Sequence, residues 1–130
     1  MCLIRSTVAT NRFLKRNKGK RKVIVWKVVS KSYITNHKII NEPTFYFTLY
    51  RNIIINTGWF EAYGKPSTKI EIGVGAIHVY TTRKEARLRS SWYTHTKVIR
   101  CEALMEDFIA AGSGEACFTK IYIPKMSERN

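Results

Sequence analysis

The first 41 residues contain no aspartate or glutamate, yet eleven lysines and arginines fall among them. A segment with cations and no acids cannot neutralise itself internally, and it attracts polyanions over about a Debye length. Acids appear only from Glu42 onward, where nine of them face twelve cations, so of the formal net charge of +14 only +3 belongs to that longer part. Cysteine is scarce as well. Cys2, Cys101 and Cys117 form an odd, widely spaced set, and no Asn-x-Ser/Thr site occurs. Such a set is a poor disulfide framework, and both facts point to a reducing, intracellular compartment with all thiols free. No stretch approaches the ~18 uninterrupted apolar residues of a membrane span. The few apolar residues after Met1 are too short a run for a usual secretory signal.

What is present suffices for one folded domain. The 130 residues are 45% apolar, enough to fill a single core. The expected organisation is an N-terminal segment with a basic arm over 1–22, a globular domain over 23–125 and a frayed tail over 126–130. Residues 11–22 hold seven cations around Gly19. Like-charge repulsion and the glycine argue against a stable helix there and for an exposed arm or long loop.

Val23–Val29 is the clearest strand. Ile24, Trp26 and Val28 share one face and Val23, Val25, Lys27 and Val29 the other, so a central place in a sheet is expected. Residues 30–43 read as a polar loop ending at Glu42-Pro43. Aromatic-rich Thr44–Tyr50 reads as a strand, with Ile53–Ile55 continuing it. Further strands are expected at Cys2–Ile4, Lys69–Val74, Ala76–Tyr80, Lys97–Cys101 and Ala116–Ile123. A helical turn is expected over Leu104–Ile109, stopped near Gly112. Thr82-Arg-Lys-Glu85 fits a capping box, which opens a helix running to about Trp92, with Ala86, Leu88, Trp92 and Tyr93 as candidate packing contacts. The fold class is therefore α+β: an antiparallel-rich sheet of five to seven short strands with one main helix, preceded by a basic arm.

Three stretches, Met1–Ile4, Gly75–Ala86 and Val98–Cys101 through Asp107–Gly112 to Lys120–Pro124, carry a resemblance. The middle one resembles the signature Gly-Ile-His-aromatic-x-Thr-x-x-x-Ala of a small uncharacterised domain of large DNA viruses and phages, over about residues 73–125. The resemblance implies a viral origin and no particular chemistry. The Lys-, Ile- and Asn-rich composition is compatible with an AT-rich genome.

Among candidate sites the basic arm is the strongest. Arg12, Lys15, Arg16, Lys18, Lys20, Arg21 and Lys22 can neutralise phosphates and release counterions without reading sequence. Arg83, Lys84, Arg87 and Arg89 form a second footing if they share the arm's side of the fold. Arg83 and Lys84 oppose the helix dipole at its N-terminus, a placement an external anion would offset. Phe45, Tyr46, Phe47 and Tyr50 suit base stacking, but a packed strand with one aromatic face in the core explains them better. Zinc would require His78, His95, Cys101 and Cys117 to converge without any close ligand pair, so no metal or other cofactor is expected. Cys2 with His78 or His95 as base, and Glu115 beside Cys117, are the nearest approach to catalytic chemistry, and nothing in their spacing fixes a geometry. Glu106-Asp107 reads as a solvated turn.

The expectation is a non-enzymatic basic protein that engages nucleic acid through its arm. The alternatives are a minor virion component docking on an acidic protein surface, or an inhibitor of a host nucleic-acid-handling complex.

Overall fold

The computed structural model describes residues 3–35, 38–46, 58–62, 71–72, 76–92 and 96–124. Ten strands and two helices occur among them: β1 (Leu3–Ile4), α1 (Thr7–Arg16), β2 (Lys22–Thr35), β3 (Lys38–Tyr46), β4 (Gly58–Glu61), β5 (Glu71–Ile72), β6 (Ile77–Tyr80), α2 (Arg83–Ser90), β7 (Thr96–Leu104), β8 (Phe108–Gly112), β9 (Glu115–Phe118) and β10 (Lys120–Ile123). A single 3-10 turn, Met105–Asp107, links β7 to β8. The α+β class and the antiparallel sheet are as expected. Seven strands run in the order β4-β10-β7-β2-β6-β9-β8, β3 pairs in addition with β2, and β1 pairs separately with β5.

Alternation built the centre of this sheet. β2 lies against β7 from Lys22↔Leu104 to Ser30↔Thr96, and meets β6 on its other side at Trp26↔Tyr80. Val23, Val25 and Val29 are buried together with Ile99, Cys101 and Ala103 of β7, Ile77 and Val79 of β6, Ala116 and Phe118 of β9, and Ile121 and Ile123 of β10. Period-2 spacing on each strand places these side chains on one face.

The sheet is curled around that core. β9 and β10 stand four places apart in the strand order, yet only Thr119 separates them in the chain. Four inter-strand spacings amount to roughly 19 Å in a flat sheet, whereas two Cα–Cα steps reach no more than about 7 Å. The sheet must therefore bend until the two strands meet end to end. Thr119 knits the corner: its N–H donates to the Asp107 carbonyl and its own carbonyl accepts from Ala62 N–H, both at 2.9 Å. The continuous strand expected over Ala116–Ile123 is thus two strands with different neighbours.

The basic arm is not confirmed. Residues 7–16 form a helix packed on the sheet, against the expectation that 11–16 would not be helical, and only 17–21 form an exposed turn. Ser6 caps it by accepting from Ala9 N–H at 3.1 Å, and Lys15 and Arg16 sit in its last turn, where cations complement the dipole. Phe13 is 4% exposed, stacked on Phe108 with centroids 4.8 Å apart and edge-on to Phe118 at 6.3 Å. Burying a phenylalanine is worth about 1.5–3 kcal/mol, well above the few tenths that each like-charge pair on a helix costs. Hydrogen bonds finish the docking. Ser6 N–H and Thr10 Oγ1 donate to the Ala111 carbonyl at 3.0 and 3.2 Å, and Ala111 N–H donates to Thr10 Oγ1 at 3.0 Å. They tie α1 to β8, the last strand in the sheet order, at Ala111.

Other boundaries moved as well. The polar loop expected over 30–43 is strand: β2 continues to Thr35 and β3 returns from Lys38, with register pairs Thr35↔Lys38, Ile34↔Ile39 and Ser32↔Thr44. Pro43 falls in the irregularity between the last two pairs, the kind of strand position that tolerates a missing N–H. The helical turn near 105 is confined to Met105–Asp107, and Phe108–Gly112 is a strand rather than its continuation. Helix α2 ends at Ser90, and Leu88 and Trp92, expected to pack, are 51% and 59% exposed, while Ala86 is buried. Residues 47–57, Tyr93 and the expected tail at 126–130 lie outside the described residues.

Candidate functional site

The seven cations between Arg12 and Lys22 are all exposed. Arg12, Lys15 and Arg16 stand at i, i+3 and i+4 on α1 and therefore share a face. Lys18, Lys20 and Arg21 lie in the turn that follows, which Asn17 holds by donating its side-chain N–H to the Phe13 carbonyl at 2.9 Å. Gly19 supplies the positive φ of 80° that the turn requires. Lys22 opens β2 and lies 3.5 Å from Glu102 on the neighbouring strand, an exposed pair of small energetic weight.

This cationic turn borders an open pocket of about 480 Å³. Arg16, Asn17, Lys20 and Lys22 supply its polar wall, the exposed Ile24 its apolar floor with the nearly buried Phe13 and Val23 at its edge, and Thr81 its far side. Among the described residues no acid lines it, although Glu102 pairs with Lys22 and stands opposite Ile24 in register. The pocket exists because β6 meets β2 at a single register pair, Trp26↔Tyr80, after which the chain turns away at Thr81 to begin α2. The Arg16 guanidinium lies 5.9 Å from the Phe13 ring centroid, on the pocket's wall.

Thr81 also brings the second cluster alongside. Thr82 caps α2, its Oγ1 accepting from Glu85 N–H at 3.2 Å, as the capping box requires. The reciprocal half of the box is not among the hydrogen bonds of the described residues: the Glu85 carboxylate lies 3.6 Å from Arg89 Nε. Arg83, Lys84 and Arg87 are exposed. The Arg83 guanidinium lies 5.5 Å from the Trp26 ring centroid, and Trp26 shares the outer face of β2 with Ile24. Arg100 stands opposite Trp26 in register. Arg89 differs from its neighbours, being half-buried, held by Glu85 and stacked over Trp92 at 4.6 Å. The two predicted clusters thus meet through Thr81 and Trp26, with Arg89 turned to internal partners. Ile24, Trp26 and Arg100 are the members that sequence reasoning missed as site residues; the alternation of β2 was the available signal for the first two.

A second constellation lies inside the sheet. Lys27 Nζ donates to the His78 carbonyl at 2.7 Å, and Cys117 Sγ lies 3.6 Å from His78 Nδ1. Burial lowers the Lys27 pKa to about 8 against the partial compensation of Cys101, Cys117 and Glu115 nearby. Burial likewise pushes the Cys117 thiol up to about 12 despite Lys27. It raises Glu115 too, with Glu85 adding to the effect and Arg89 and Lys27 opposing it. The structure therefore places Cys117 beside His78, a pairing not foreseen, but the thiol stays protonated at neutral pH and has little nucleophilic character. Cys101 and Cys117 are buried thiols outside any disulfide. No group of three metal-ligating side chains occurs among the described residues. Cys2 and His95 lie outside them, as do Phe47 and Tyr50 of the aromatic run. Phe45 and Tyr46 are placed only as backbone of β3. Glu106 is exposed on the 3-10 turn.

Among the described residues no helix is long and apolar enough to cross a membrane. No protein-family model, curated protein or solved structure matches this chain, so its surface is interpreted from its own chemistry.

Proposed function

We propose that the protein binds nucleic acid electrostatically, as a binding protein rather than an enzyme, through a folded cationic surface. The surface comprises the end of α1, the turn at 17–21 and the start of β2, flanked by the N-terminus of α2. One observation carries the reading: the seven cations from Arg12 to Lys22 are all exposed, three of them, Arg16, Lys20 and Lys22, line one pocket, and Arg83 and Lys84 begin beside it. A rigid cationic surface keeps phosphate contacts in fixed register and loses less entropy on binding than a loose arm. The resemblance over residues 73–125 adds a viral or phage setting to this proposal.

The test is a pull-down from producing cells with and without nuclease, beside a direct binding titration. Partners lost on nuclease treatment support nucleic acid. A partner retained after it, with no direct binding at low salt, replaces this reading by docking on an acidic protein surface.

A further inference from the structure

We infer that the pocket between α1, β2 and Thr81 seats one unstacked nucleotide, so that the protein prefers single-stranded nucleic acid over duplex. This rests on the nucleic-acid reading and deepens it. Phosphate neutralisation needs cations on a surface; it does not need a cavity. Here the cations rim a cavity whose floor is apolar, and its volume of about 480 Å³ falls in the usual small-ligand range of about 300–1,000 Å³.

The distribution of chemistry matches a nucleotide. Arg16, Lys20 and Lys22 offer cationic donors to a phosphate, and Ile24 offers apolar contact to a base, while Phe13 and Val23 beside it are nearly buried. Ile24 is 45% exposed, a large aliphatic side chain open to water beside these cations. Asn17 and Thr81 add polar groups at the margin. A duplex keeps its bases stacked and presents only its sugar–phosphate backbone, which engages the rim and leaves the floor wet. A single strand can turn one base onto the floor, and base contact of this kind is sequence-tolerant because every base has an apolar face. Beyond the pocket, Trp26 with Arg83 and Arg100 continues the outer face of β2. A strand leaving the pocket would meet an aromatic ring flanked by cations.

The experiment compares a short oligothymidine with a duplex of equal length in a binding titration at one low salt concentration, using the wild-type chain and Ile24→Thr. Threonine keeps the β-branched shape that suits a strand and removes apolar surface. The wild type should bind the single strand about tenfold more tightly, the equivalent of one favourable base contact. Ile24→Thr should narrow that gap to less than about threefold by weakening the single strand alone. As a measurement independent of variant folding, nuclear magnetic resonance of the wild type should show shifts at Ile24 and Thr81 with oligothymidine and not with duplex. Equal or tighter duplex binding, or shifts confined to the lysine turn with both forms, overturns the pocket inference while leaving electrostatic binding intact. No binding of either form at low salt overturns the nucleic-acid reading and the pocket's occupant with it.

Discussion

The Lys27 ammonium donates to the backbone carbonyl of His78 at 2.7 Å, bridging β2 and β6 where the two strands share a single register pair. A lysine on the core face of a central strand is costly, and the bond to His78 offsets part of that cost. The consequence is a dependence of stability on pH. The Lys27 pKa falls to about 8 in the folded chain, against an ordinary 10.5. Between those values the unfolded chain holds a proton that the folded chain has released, so stability rises with pH. Cys117 runs the other way. Its thiol stays protonated to about 12, against an ordinary 9.0, so stability falls with pH across that interval. The profile should rise by about 1 kcal/mol from pH 8 to pH 9, flatten where the two effects cancel, and fall above about pH 10.5. Denaturant melts at stepped pH measure it. Lys27→Met should abolish the rise, and Cys117→Ala should abolish the fall. A flat profile across pH 8 to 9 in the wild type would show that Lys27 is solvated.

Phe13 decides whether the basic segment is a helix or an arm. Phe13→Ala should cost about 3–5 kcal/mol, because the ring is lost from both the Phe108 and Phe118 contacts. It should also expose α1 amides to hydrogen exchange. A change below about 1 kcal/mol would mean that α1 does not dock.

That result bears on what the sequence could reveal. The faces of Val23–Val29 were legible because alternation is local, and so was the Thr82 cap. Helix α1 was not, because its stability comes from Phe108 and Phe118, about a hundred residues away, while the local signal was charge repulsion. The break at Thr119 was equally hidden. Threonine is a good strand residue, and only the neighbours on either side show that the chain changes partners there. Residues 30–43 misled through Glu42-Pro43, which punctuates an isolated segment but is accommodated at a register irregularity once β2 and β3 pair. Of the site, the identity of the cations was plain and their convergence was not, since the pocket depends on where β6 leaves β2.

The cap and the turn at Gly114 form the next test. Thr82→Ala should cost about 1 kcal/mol through loss of the bond to Glu85 N–H. Glu85→Ala should cost less, since its carboxylate is directed at Arg89. Gly114 carries φ +70° at the β8–β9 hairpin, and a Cβ there would stand 2.9 Å from Glu85 Cγ. Gly114→Ala should therefore cost about 1–2 kcal/mol through backbone strain. Thermal melts of the three variants provide the ranking, and Glu85→Ala more damaging than Thr82→Ala would contradict it.

Cys101 and Cys117 are fully buried thiols. In the native chain both should react with an alkylating reagent only as fast as the core opens, and at once in denaturant. Mass analysis over time distinguishes the two. Rapid native labelling of Cys117 would place it at the surface.

The central claim is electrostatic binding by the folded cationic surface, and the salt dependence of affinity tests it most directly. With about five phosphates neutralised, log K against log salt should have a slope near −4.5 on duplex DNA and near −3.5 on a single strand. Replacing Lys18, Lys20, Arg21 and Lys22 with alanine should weaken binding and flatten both slopes. Circular dichroism should stay unchanged, since all four side chains are exposed. Replacing Arg83 and Arg87 should do the same to a smaller degree. A wild-type chain that binds neither form at low salt, or a slope unaltered by the four substitutions, would contradict the assignment.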